Sequence, residues 1–178
     1  VFHEEAIAPI YHLGIPINIK NTNKPEDKGT MILPESSAKG LSGVSVRTGL
    51  SMIKLRKLML FKKSGMRHAL LTMLHIFGIR PCYSLFGIDS IVWFFESKMA
   101  SDSVCSSMCE RLKTEYKLDS ISVEHGYAVM GITGTSEAMG KGCLDAITAL
   151  CKKGIEVVSV NQGASDTSVL IGIREKDA

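Results

Sequence analysis

Long apolar runs are missing: no stretch of this 178-residue sequence approaches the roughly 20 apolar residues that a membrane-crossing helix needs. A dense basic stripe is missing too. The formal net charge is only +3, and the one basic cluster, Lys54, Arg56, Lys57, Lys62 and Lys63, is interleaved with apolar residues. That spacing reads as a solvated strand face and loop, not as a nucleic-acid surface. Aromatics make up 6% of the chain, and only Trp93, Phe94 and Phe95 stand together, a thin basis for base stacking. No CxxC pair occurs. The five cysteines, Cys82, Cys105, Cys109, Cys143 and Cys151, form an odd set with no secretory leader before them, which fits reduced thiols in a cytoplasm. Cys105 and Cys109 share a helical face but lack a His pair to complete a metal site.

Catalytic signatures are equally scarce. There is no P-loop, no GxGxxG after a strand, no GxSxG elbow, no HExxH pair and no carboxylate cluster spaced for acid–base work. His3, His12, His68, His75 and His125 are dispersed, so no catalytic residue and no metal ligand is assigned.

The elements that are present follow from apolar spacing. Residues 4–13 have helical periodicity, Gly14-Ile15-Pro16 ends that element, and Ile17-Asn18-Ile19 alternates as a short strand. The absence of Met before Val1-Phe2-His3 leads us to expect a segment upstream. After Thr30-Met31-Ile32-Leu33, residues 34–40 are small and polar and read as a linker. Val44 and Val46 mark a short strand, residues 51–60 an imperfect one, and residues 61–65 a loop. Met66, Leu70, Met73, Leu74 and Phe77 fall on one helical face that Gly78 ends. Residues 81–86 and 90–96 are strand-like around the Gly87-Ile88-Asp89 turn, and Ser101 or Asp102 caps a helix with Val104, Met108, Leu112 and Tyr116 inward. Ile121 and Val123 suggest another strand.

Then the pattern starts again. Residues 127–133 form a strand, residues 134–137 a turn, and Met139, Cys143, Ala146, Ile147 and Leu150 the inner face of a helix closed by Gly154; strands at 156–161 and 168–174 follow. Gly78-Ile79 recurs as Gly154-Ile155 and Ser90-Ile91 as Ser168-Val169, at separations of 76 and 78 residues. Each unit has the order of a ferredoxin-like βαββαβ sandwich, an α/β fold with helices on one face of a sheet. The second unit lacks its closing helix and strand. Residues 44–46 are placed to supply that strand, which inserts the first unit within the second. In both units the loop into the first helix, residues 61–67 and 134–140, aims backbone N–H groups at one point, as a carboxylate site requires.

Three stretches together resemble the aspartate kinase family. Val1-Phe2-His3, Ile15-Pro16-Ile17-Asn18-Ile19-Lys20-Asn21-Thr22 and Pro25-Glu26-Asp27-Lys28-Gly29-Thr30 are similar to the end of that family's kinase domain, and residues 155–165, closing on Asn161-Gln162-Gly163-Ala164-Ser165, to its second ACT domain. The order of linker and two ACT-like units matches throughout. The resemblance implies that residues 1–33 end an amino-acid kinase domain and 34–43 form the linker. Residues 44–48 then give a strand to the second ACT domain, 49–124 form the first, inserted in it, and 125–178 form the second without its last helix. It further implies a cytoplasmic regulatory piece of an enzyme that phosphorylates L-aspartate to 4-phospho-L-aspartate, the first step toward lysine, threonine and methionine. ATP and Mg serve the full enzyme, and this piece holds no cofactor. Feedback inhibition by lysine or threonine, bound where the ACT domains of a homodimer pair, is implied as well, with neither nucleic acid nor membrane as partner. A non-sensing dimerisation module is the alternative.

By the same resemblance, Asn23 and Lys24 form a rim of the nucleotide site. Met59, Lys62, Ser64, Gly65, Met66 and Arg67 hold the effector against Pro81, Cys82, Gly87 and Ile88. The family's lysine-sensitive pattern has an Asp near Cys82 and a Ser-Glu pair at Gly87-Ile88. Here an ammonium group would meet apolar neighbours, at a cost of ~1–3 kcal/mol.

Overall fold

The computed structural model describes residues 13–33 and 39–178. The expected helix at 4–13, apart from Leu13, and most of the linker lie outside these residues. The chain divides into two compact units, Val1–Ala38 and Lys39–Ala178.

In the first unit, β1 (Ile17–Ile19) and β2 (Thr30–Ile32) pair antiparallel, Ile17 opposite Ile32. Gly29 has φ +74, and a Cβ there would collide with the Ile19 carbonyl oxygen, so only glycine closes this hairpin.

The second unit is a six-stranded antiparallel sheet with three helices. Its elements are β3 (Leu41–Arg56), α1 (Met66–Ile76), β4 (Tyr83–Phe86), β5 (Ser90–Glu96), α2 (Asp102–Tyr116), β6 (Ser120–Gly134), α3 (Ser136–Lys152), β7 (Val157–Asn161) and β8 (Ser168–Arg174). The strand order is β4-β5-β3-β6-β8-β7. The repeated Gly-Ile landmarks are helix stops of one kind. Ile79 N donates to Leu74 O at 2.9 Å and Ile155 N to Leu150 O at 3.0 Å, each across a glycine with positive φ, which is the Schellman closure.

Two expectations about strands need correction. The segments expected separately at 44–46 and 51–60 are one strand, β3, and those at 121–123 and 127–133 are one strand, β6. Each bends at a glycine in the left-handed region, Gly49 (φ +71) and Gly126 (φ +78), and Leu50 lies opposite Tyr127 beside the bends. The glycine breaks the apolar alternation, so one strand reads as two. Residues 57–60 are loop and turn, not strand, because Lys57, Leu58 and Met59 hydrogen-bond to aspartates and carbonyls of other segments.

The bends divide the sheet into halves. In the first, residues 50–126, α1 and α2 cover Ile53, Leu55, Ile91, Trp93 and Phe95. In the second, residues 41–49 with 127–174, α3 covers Ala128, Ile132, Val169, Ile171 and Ile173. Val44 pairs with Ile132 and Val46 with Met130 on the helix side of the sheet, and both valines are exposed, at 63% and 45%. A third cluster, Leu50, Met52, Phe94, Tyr127 and Val129, lies on the helix-free side and is buried because the two half-sheets fold onto each other there.

Two local expectations also change. Lys57 is buried rather than on a solvated face, because its Nζ donates to the Lys117 carbonyl at 2.7 Å. Ser101 is the N-cap residue of α2, yet its Oγ bonds to Ser103 Oγ and not to a helix amide. No described helix is long and apolar enough to cross a membrane.

Candidate functional site

The loop from β3 to α1 is stitched to the rest of the first half by two carboxylates. Asp89 Oδ1 accepts from Met59 N at 2.8 Å, the Asp89 carbonyl accepts from Lys57 N at 2.9 Å, and Asp119 Oδ2 accepts from Leu58 N at 2.7 Å. Met59 is thereby held in the left-handed region, φ 59. Leu60 anchors the loop in the core, Lys62 N and Lys63 N bond back to Met59 O and Leu60 O, and Gly65 (φ +77) turns the chain into α1. No side chain caps α1 and no acid lies in its first turn; Met66 N bonds to the Lys63 carbonyl at 3.2 Å, which leaves the Arg67 and His68 amides at the positive end of the dipole for a ligand.

The β4–β5 turn meets this loop. The Arg67 guanidinium lies 4.9 Å over the Phe86 ring, a cation–π contact that ties α1 to the end of β4. Leu58, Met59, Phe61, Phe86 and Ile88 are all exposed around the junction. These exposed large apolar side chains rim the N-terminal end of α1.

Met59, Lys62, Ser64, Gly65, Met66 and Arg67, expected at an effector site, thus form one surface with Gly87 and Ile88. Pro81 and Cys82 do not reach it. They stand at the far end of β4, roughly 16 Å along the strand. Cys82 N and Sγ both donate to the Phe94 carbonyl there, and burial raises the thiol pKa despite the nearby Arg47. Sequence reasoning missed Asp89 and Asp119. Their signal was weak, since an Asp after Gly-Ile reads only as turn chemistry. Replacing Asp89 by alanine is expected to cost about 1 kcal/mol in thermal unfolding, because the Met59 amide loses its acceptor.

The corresponding loop of the second half differs. Gly134 N bonds to Thr167 O and Thr135 N to Gly40 O, both at 3.0 Å, and Glu137 already supplies a negative charge to the first turn of α3. An added anion is favoured less there than at α1.

Asn23 and Lys24 occupy the exposed turn between β1 and β2, where Asn21 Oδ1 accepts from Asn23 N and Asn21 O from Lys24 N, each at 3.0 Å. Trp93, Phe94 and Phe95 are fully buried, so none of these three rings is open for a base to stack on. Cys105 and Cys109 do line one groove of about 270 Å³ with His125 and Asp102. The imidazole is spoken for, however: Nε2 contacts Asp102 at 3.1 Å and Nδ1 contacts Ser51 Oγ at 2.6 Å. Among the described residues, no three His, Cys, Asp or Glu side chains gather as a metal site.

No protein-family model matches the chain. Aspartokinase 3 of Bacillus subtilis is 27% identical over 180 residues, covering 99% of this chain and 40% of that protein. The crystal structure of Clostridium acetobutylicum aspartate kinase superposes with a TM-score of 0.87 at 30% identity, over 98% of this chain and 41% of that one. The chain belongs to the aspartate kinase family. The ligand-free regulatory subunit of aspartate kinase from Thermus thermophilus has the same fold, TM-score 0.59 at 13% identity, with 78% of this chain matching 90% of that subunit. The chain spans about two fifths of the length of the curated aspartokinases it matches. Its six-stranded sheet with helices on one side of each half is therefore the ACT-type architecture of aspartate kinase regulatory domains.

Proposed function

We propose that this region senses an end-product amino acid and passes feedback inhibition to an aspartate kinase that makes 4-phospho-L-aspartate from ATP and L-aspartate with Mg. On this reading the halves are two ACT domains, the first (49–124) inserted in the second through residues 44–48, and the protein is a cytoplasmic homodimer paired through them. Asn23 and Lys24 border the nucleotide site of the kinase domain.

The observation that carries the reading is the junction at α1. Its uncapped amides suit the α-carboxylate of an amino acid, and the exposed ring of Leu58, Met59, Phe61, Phe86 and Ile88 is surface that a second copy would cover. Both acids of the junction are already bonded to backbone amides. Lysine, with its second ammonium, fits less well than threonine.

Calorimetric titration of the chain with lysine, threonine and methionine, run beside sedimentation velocity, tests this. Threonine is expected to bind with a sub-millimolar Kd to a dimer; no heat from any of the three at ~10 mM would leave only a dimerisation module. Ile88, 76% exposed, tolerates substitution, and Ile88→Glu restores an acid at the junction. It is expected to tighten lysine binding about tenfold, the worth of one charge-assisted hydrogen bond.

A further inference from the structure

The long strands are themselves copies of each other. Val-Ser-Val-Arg-Thr-Gly-Leu-Ser-Met at 44–52 matches Ile-Ser-Val-Glu-His-Gly-Tyr-Ala-Val at 121–129, with the bend glycines 77 residues apart. The chain passes between the halves twice, along β3 and along β6, and makes both passages at these glycines, side by side in the ladder. A Cβ on either would meet nothing within 4 Å, so glycine serves backbone freedom there and not close packing.

Around this double crossing the equivalent positions carry exchanged charges. Arg47 of the second half pairs with Glu96 of the first, while Glu124 of the first half pairs with Arg174 of the second at 3.2 Å. Lys98 adds a contact to Glu96 at 2.8 Å, and Tyr127 Oη donates to Glu124 at 2.7 Å under the Arg174 guanidinium. All four side chains of the two pairs are at least 24% exposed, so each pair is weak and sensitive to salt. A groove of about 350 Å³, lined by Thr48, Gly49, Glu96, Ser97 and Lys98, opens beside the crossing.

We propose that Gly49 and Gly126 form a two-strand hinge and that the Arg47–Glu96 and Arg174–Glu124 pairs act as its latches, setting the angle between the halves. The apolar cluster around Phe94 and Tyr127 keeps the faces in contact, so the motion is a change of crossing angle and not a separation. Two independent latches on two glycine crossings give the bistable element that a sensing region needs. That purpose rests on the regulatory reading above; the motion is measurable with no effector present, so either can fail alone.

Spin labels on ketone-bearing amino acids at Leu71 of α1 and Leu144 of α3, both exposed, report the angle as a distance distribution. In the unaltered chain at low salt one distance is expected to dominate. In Arg47→Ala/Glu124→Ala the minor distance is expected to grow about fivefold, and raising the salt of the unaltered chain to ~1 M is expected to do the same. A single distance, unchanged in the folded variant, overturns the hinge. Should the variant not fold, the salt series alone decides, and an unchanged distribution there overturns it equally.

Discussion

Truncating Phe94 to alanine is expected to cost about 3–5 kcal/mol of folding free energy, the range for a fully buried aromatic in a site that cannot collapse. Phe94 is fully buried although no helix covers its side of the sheet. Its burial comes from the other half: the ring meets Tyr127 edge-on, centroids 5.9 Å apart at 77°, and its Cζ lies 3.3 Å from where a Cβ of Gly172 would stand. Gly172 is the repeat equivalent of Phe94, so one copy supplies the ring and the other the space for it. Against a total stability of about 5–15 kcal/mol, this loss is a large fraction. Urea unfolding followed by circular dichroism measures it. Phe86→Ala is the control, expected within about 1 kcal/mol because that ring is half exposed and loses chiefly its contact with Arg67. Equal costs for the two would mean that the half-sheets do not form a common core.

The same pairing explains why parts of the fold are legible in sequence and others are not. β5 and β8 have the bounds read from their apolar runs, because both strands are covered on both faces and alternation has no polar phase to lose. The helices α1 and α3 end where Gly78 and Gly154 stand, since a left-handed closure is a local event that glycine announces. The continuity of β3 and β6 is not local. It depends on ladder bonds between residues 64 (Arg56 with Ser120) to 93 (Leu41 with Gly134) positions apart, and the bend glycines disguise it. At the candidate site, the helix-entry loop could be read from its own residues, while the aspartates that hold it act from 30 and 61 positions away and left no periodic mark. Cys82 was placed with Gly87 by resemblance, yet an extended strand carries the two apart.

Gly126→Val is expected to cost about 2–3 kcal/mol, although the new side chain meets open space. At φ +78 a Cβ crowds its own backbone, and a β-branched residue suffers most from it. The bend cannot relax independently, because Tyr127 is paired with Leu50 across the ladder and Glu124 with Arg174 on the flank. Relief by straightening β6 would therefore pull Tyr127 out of the cluster it shares with Phe94. Gly43→Ala is the matched control: it lies in the same sheet with no positive φ and faces only Thr133 Oγ1 at 3.4 Å, and it is expected within about 0.5 kcal/mol. Thermal unfolding of both variants separates a conformational cost from a steric one, since the more crowded site is the control. A cost below about 1 kcal/mol for Gly126→Val would show that the strand crosses the halves without the left-handed turn, and the hinge would then have no pivot.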